Sequence, residues 1–138
     1  MYIIERHTGR LIEVRQIAPT PLTVDEVVRF REEVRRIIRV AADPVVLCAD
    51  MRQATVFAPE AAEEIEALMK SNNPTLARSA IVVAGDRATM ALQIERLVRA
   101  ARNPSRRTFH DPAAAADWLG EILDDVERAR LSVFLGLG

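Results

Sequence analysis

Two apolar runs without a polar interruption, Val45-Val46-Leu47-Cys48-Ala49 and Ala80-Ile81-Val82-Val83-Ala84, leave this chain few ways to fold. A strand with one face in water alternates polar and apolar side chains. A run with no alternation describes a strand covered on both faces, as in a parallel sheet. Parallel neighbours need a crossover between them, usually a helix. The segment between the two runs supplies one. Pro59 suits a first helical turn, and Glu60, Glu63 and Glu64 lie near the positive end of the helix dipole. Ala61, Ile65, Leu68 and Met69 form an apolar stripe before Asn72-Asn73-Pro74 ends the helix.

The alternation of strand and helix extends in both directions. Residues 2–6 and 10–17 are β-prone runs split by His7-Thr8-Gly9, a hairpin turned at the glycine. In the second run Ile12 and Val14 alternate with Glu13 and Arg15, the pattern of a strand with one wet face. Ala18-Pro19-Thr20-Pro21 is a linker. Thr23 and Glu26 have capping-box spacing. Val24, Val27, Val28, Val34, Ile37, Ile38 and Ala41 follow at helical spacing, so a first helix runs to about residue 41, and Asp43-Pro44 breaks the chain. After Ser79–Ala84, Gly85 turns the chain and Asp86 is placed to cap a third helix bearing Met90, Ile94, Leu97, Val98 and Ala101. Asn103-Pro104 stops it, and Arg106-Arg107-Thr108-Phe109 is a short edge strand. Asp111-Pro112 opens a fourth helix whose apolar face is Trp118, Leu119, Ile122, Leu123 and Val126. The expected fold is α/β: a mainly parallel central sheet with an N-terminal β-hairpin and four helices, in the order β-β-α-β-α-β-α-β-α. It forms a single domain over residues 1–130, with an apolar tail at 131–138.

Composition narrows the function classes. A chain of 138 residues suits one domain that needs no disulfide or metal to fold. Nineteen basic against twenty acidic residues, and 4% aromatics, argue against a nucleic-acid binder. One cysteine excludes an intrachain disulfide and a cysteine-based zinc site. No signal-peptide core and no transmembrane run is visible, so a cytoplasmic location without a membrane span is expected.

Three segments, in this order of elements, carry a family resemblance: the strand VVLCAD ending at Asp50, the strand-turn SAIVVAGD, and the closing RTFHDPAAAADWL. They resemble the STAS domain, the fold of the sporulation anti-anti-sigma factors, and more narrowly the bacterial SpoIIAA-like proteins grouped as STAS/SEC14-like. The resemblance spans about residues 2–126. In phosphorylated members a Ser or Thr follows an Asp at the start of the helix after the central strand. Here Ala58-Pro59 stands at that place, and Thr55 lies several residues upstream. The resemblance therefore implies the fold and a protein-interaction role without the phosphorylation switch.

The candidate site residues are few. Cys48, inside an apolar run, is a small buried hydrophobe. Asp50 and Asp86 fall at the C-terminal ends of strands, where open α/β sheets place their sites, and with Arg52 they make a possible polar site. The plainer roles are a loop anchor for Asp50 and a helix cap for Asp86. His7 and His110 lack ligand spacing, so no metal is expected. Gly85-Asp86-Arg87 lacks the further glycines of a dinucleotide loop, and no cofactor is expected. Glu60, Glu63, Glu64 and Glu66 oppose a basic set, Arg87, Arg96, Arg99, Arg102, Arg106 and Arg107. These are two solvated faces or a complementary pair. Leu131, Val133, Phe134, Leu135 and Leu137 make the tail a possible interaction surface, folded over its own domain or inserted into a partner.

With no catalytic constellation, the expected function is a non-enzymatic STAS-like interaction or regulatory module with a protein partner, itself a homodimer. The alternative is a carrier or sensor binding a small apolar or amphiphilic ligand in a SEC14-like pocket. A large enclosed apolar cavity distinguishes the carrier, and a filled core with an exposed apolar patch the interaction module. Convergent carboxylates with perturbed pKa values would indicate an enzyme.

Overall fold

The computed structural model describes residues 2–16, 22–41 and 44–138. The proline linker expected at 18–21 and Asp43 of the following chain break lie outside the described residues. Five strands, β1 (Tyr2–Thr8), β2 (Leu11–Gln16), β3 (Val45–Asp50), β4 (Leu76–Val82) and β5 (Arg106–Phe109), form one sheet in the order β1-β2-β3-β4-β5. β1 pairs antiparallel with β2, and the other three pairings are parallel. The helices are α1 (Val24–Val40), α2 (Pro59–Asn72), α3 (Ala88–Ala101), α4 (Pro112–Gly120) and α5 (Asp125–Phe134). The α/β class and the mainly parallel sheet agree with the sequence expectation. No helix among the described residues is long and apolar enough to cross a membrane.

Local chemistry sets the boundaries. Thr23 caps α1: its hydroxyl accepts from Glu26 N at 3.2 Å, and Glu26 Oε1 accepts from Thr23 N at 3.2 Å. Gly9 turns the hairpin at φ +54°, the left-handed region that glycine enters without steric cost. A second demand falls on it, because a Cβ at this position would collide with the Glu127 carboxylate.

The sheet is covered on both sides at β2, β3 and β4, and strand alternation divides their residues between two cores. Ile12, Val14, Val45, Leu47, Ala49 and Ile81 pack under α1, α2 and α3. Leu11, Val46, Cys48, Ala80 and Val82 pack under α4 and α5. Sequential strands joined by right-handed crossovers place all connecting helices on one face. Only chain beyond β5 is left to cover the other.

That cover corrects three expectations. There are five helices among the described residues, not four: the helix expected over Asp111–Val126 ends at Gly120 and a new one begins. Asp124 and Glu127 form a second capping box, with Glu127 N to Asp124 Oδ1 at 2.8 Å and Asp124 N to Glu127 Oε1 at 3.0 Å. Val126, expected on an apolar face, is consequently exposed. The segment 131–138 is not a tail: Leu131, Phe134 and Leu135 are buried in the second core, while Val133 and Leu137 face outward. Finally, the Glu13 face of β2 is not wet, because α5 lies over it and Glu13 is 3% exposed.

Two further placements differ. Asp86 does not cap α3; its N-cap is Arg87, with no side-chain cap bond, and Arg87 Nη1 donates to Ala54 O at 3.0 Å. Of the α2 carboxylates, Glu64 pairs with Arg31 of α1 at 3.2 Å and Glu66 with Lys70 of α2 at 3.3 Å, and among the described residues none pairs with an α3 arginine.

Trp118 is half-buried. Its ring packs 5.6 Å from Phe109 and takes the guanidinium carbons of Arg78 and Arg107 at 4.9 and 4.8 Å. Trp118→Ala should therefore cost about 2 kcal/mol, short of the 3–5 kcal/mol of a fully buried ring. Urea titration of the two proteins measures the difference.

Candidate functional site

Two places on the sheet bring polar groups together, one on each face. The first lies at the C-terminal ends of β2 and β3. Arg15 and Asp50 are register partners in the parallel ladder, so their side chains leave the sheet on the same side. The Asp50 carboxylate accepts from Arg15 Nε at 3.3 Å, from Arg52 N at 3.1 Å, and from Arg52 Nε and Nη2 at 2.9 and 3.0 Å. Both guanidiniums also donate to carbonyls ending α5, Arg15 to Phe134 O and Arg52 to Leu135 O at 3.3 Å. Helix C-terminal carbonyls lack intrahelical donors and carry the negative end of the dipole, so cations belong there. The Arg15 guanidinium also lies 4.4 Å over the Phe134 ring.

The same row continues along β2. Glu13 receives Arg130 through two bonds of 2.7 and 2.6 Å, and Glu127 Oε2 accepts from Arg10 N at 2.9 Å. Three charged side chains of this face, Glu13, Arg15 and Arg52, thus fasten α5 to the sheet. An open polar pocket of about 350 Å³ remains beside Asp50, lined by Arg15, Arg52, Gln53 and the end of α5.

Of the three residues expected to form a polar site, Asp50 and Arg52 come together and Asp86 does not. Asp86 is exposed in the turn before α3 and does not line the pocket. Arg15 takes the third place. Its sequence position marked it only as the polar half of an alternating strand; the register to Asp50 is what gives it a role. Burial pulls the Asp50 carboxyl upward, but the Arg52 hydrogen bonds and then the Arg52 and Arg15 charges outweigh it and hold the group below its ordinary value. An ionised carboxylate shared by two guanidiniums is a structural anchor and a poor proton donor.

Other candidates resolve simply. Cys48 is fully buried and burial pushes its thiol up, the opposite of an activated thiolate. Thr55 has its hydroxyl oxygen buried without a partner among the described residues, and Pro59 occupies the first turn of α2. Among the described residues no group of three or more His, Cys, Asp or Glu side chains is placed to hold a metal ion.

The second place is on the opposite face. A cavity of about 80 Å³ lies between the sheet and helices α1 and α2, walled by apolar side chains including Val14, Phe30, Val34, Leu47 and Ile65. Its polar lining is Gln16, Asn72, Ser79 and Arg106. Arg106 is 6% exposed although it stands on an edge strand. Its Nη2 donates to Met69 O at 3.0 Å and to Asn73 Oδ1 at 3.2 Å. Asn73 is itself held by Asn103 Nδ2 at 3.1 Å and by its own bond to Ala101 O at 2.7 Å. Among the described residues no carboxylate pairs with Arg106, and burial pushes it down to about 10, still charged at neutral pH. The basic pair Arg106-Arg107 divides between the faces by strand alternation: Arg107 reaches Trp118, and Arg106 turns inward beside its register partner Ser79.

The chain matches no protein-family model and no curated protein.

Asp50 yields a pH prediction. Its folded pKa lies below the ordinary 3.8, so ionised Asp50 contributes stability that is fully present above that value. The contribution is lost as pH falls through the lower folded value. Asp50→Asn should be less stable than the parent at pH 7 by roughly 2 kcal/mol, below the 3–5 kcal/mol of a fully buried pair. Arg15 and Arg52, at 38% and 34% exposed, keep part of their hydration. The gap should narrow below about pH 4, as followed by denaturant titration at pH 7 and pH 3.

Proposed function

We propose that this domain is a non-enzymatic binding module of STAS-like architecture, acting as carrier or sensor for a small apolar or amphiphilic molecule. The cavity between α1, α2 and the sheet carries this proposal. Its walls are apolar and its volume is about 80 Å³. Native interiors are packed with few voids larger than a water, and dry apolar cavities of this order admit small organic molecules. Such a space suits a ligand of a handful of heavy atoms, far smaller than a phospholipid. The order of strands and helices supports the STAS resemblance. Pro59 and the buried Thr55 hydroxyl support a module without the usual phosphorylation, and a cytoplasmic location belongs to the same proposal.

Thermal-shift measurements with benzene and short primary alcohols test the cavity. A ligand at 100 times its Kd should stabilise the domain by about 2.7 kcal/mol. Val34→Phe, which fills the space from α1, should remove the shift while circular dichroism shows the fold intact. No shift with any of these probes would overturn the carrier reading.

A second observation favours the interaction module. Val126, Val133 and Leu137 are 65%, 58% and 44% exposed along α5 and the residues that follow it. In this reading they meet the same patch of a second copy in a homodimer, or a protein partner. Val133→Glu should then halve the mass seen by light scattering without lowering the thermal midpoint. An unchanged mass would remove this patch as the dimer interface.

A further inference from the structure

Burying a guanidinium without a counter-charge costs more than burying almost any other side chain, and natural cores pair such groups. Arg106 is an exception. It is 6% exposed, and its Nε has no hydrogen-bond partner among the described residues. It is also the only charged residue among the described residues that line the cavity. Its register partner Ser79, on the same side of the sheet, is 0% exposed, and its hydroxyl likewise has no partner among the described residues. Two polar groups without partners among the described residues, one cationic and one able to donate or accept, thus stand side by side at the wall of a mostly apolar space, which Gln16 and Asn72 also line. The Arg106 Nη2 is committed to Met69 O and Asn73 Oδ1, and the Asn73 amide is fixed in turn by Asn103 and Ala101. The guanidinium is therefore held in one orientation with its Nε edge unspent.

We propose that the cavity is a site for a short-chain carboxylate, whose head is bound by Arg106 and Ser79 and whose alkyl chain lies among Val14, Phe30, Val34 and Leu47. The proposal rests on the cavity reading above and adds the chemistry of the head group. One carboxylate oxygen accepts from Arg106 Nε–H and the other from the Ser79 hydroxyl. A single negative charge matches the single positive one. A doubly charged phosphate would leave a charge uncompensated in apolar surroundings, and an ammonium head would meet Arg106 as a like charge. The volume of about 80 Å³ selects short chains.

The test is a chain-length series from propanoate to decanoate beside the primary alcohols and amines of equal length, read by amide chemical shifts and thermal shift at pH 7 and constant ionic strength. Carboxylates should bind at least about tenfold more tightly than alcohols of the same length, the scale of one charge-assisted hydrogen bond, with the optimum among the short members. Amines should not bind. Arg106→Leu keeps an apolar side chain in the wall and should erase the preference for carboxylate while alcohols still bind. Ser79→Ala should weaken carboxylates and leave alcohols unchanged, and it decides the matter if Arg106→Leu does not fold. Equal affinity for carboxylate and alcohol, or a preference that survives both substitutions, would overturn the head-group assignment and leave the cavity reading standing. Failure of every probe, benzene included, would overturn both.

Discussion

A strand order that follows chain order, joined by right-handed crossovers, puts every connecting helix on the same side of the sheet. Yet β2, β3 and β4 carry apolar side chains on both sides, so the other face needs cover from chain that lies beyond the last strand. α4 and α5 are therefore as necessary to the fold as the crossover helices. Remove them and Leu11, Val46, Cys48, Ala80 and Val82 face water. Leu131, Phe134 and Leu135, together with Ala115 and Leu119, form the matching surface.

The two faces differ in how they treat charge. On the α5 face every charge of the row on β2 and β3 finds an opposite: Glu13 with Arg130, Asp50 with Arg15 and Arg52. Those pairs fix the register of α5, since a shift of one residue would bring Leu131 over Glu13 in place of Arg130. Their net contribution to stability is modest where the guanidiniums stay partly hydrated, and their main effect is to select one docking of α5. On the opposite face Arg106 has backbone and amide oxygens but no anion among the described residues. A core that balances its charges on one side and leaves one unbalanced on the other is asymmetric for a reason that packing does not supply. Sites that violate local rules in this way are where function is expected to sit.

Much of the architecture was legible because it depends on local patterns. The uninterrupted runs at 45–49 and 80–84 identified the central strands, Thr23 with Glu26 marked the start of α1, and the stripe Ala61, Ile65, Leu68, Met69 is buried as its spacing implies. The start of α5 was equally legible, since Asp124 and Glu127 repeat the Thr23/Glu26 signature. It was hidden by Ile122, Leu123 and Val126, which continue a helical apolar pattern across the boundary.

Hydrophobic period and capping act over a few residues, and they sufficed for the element types, the α/β class and the buried character of β3 and β4. The sites arise instead from contacts between residues far apart in the chain. Glu13 meets Arg130 across 117 positions, Arg15 meets Asp50 across 35, and Arg106 lies beside Ser79 through strand register. No local pattern carries such distances. Whether an arginine on a short strand is solvated or buried, and whether a buried one finds a carboxylate, depends on what the rest of the chain places against it.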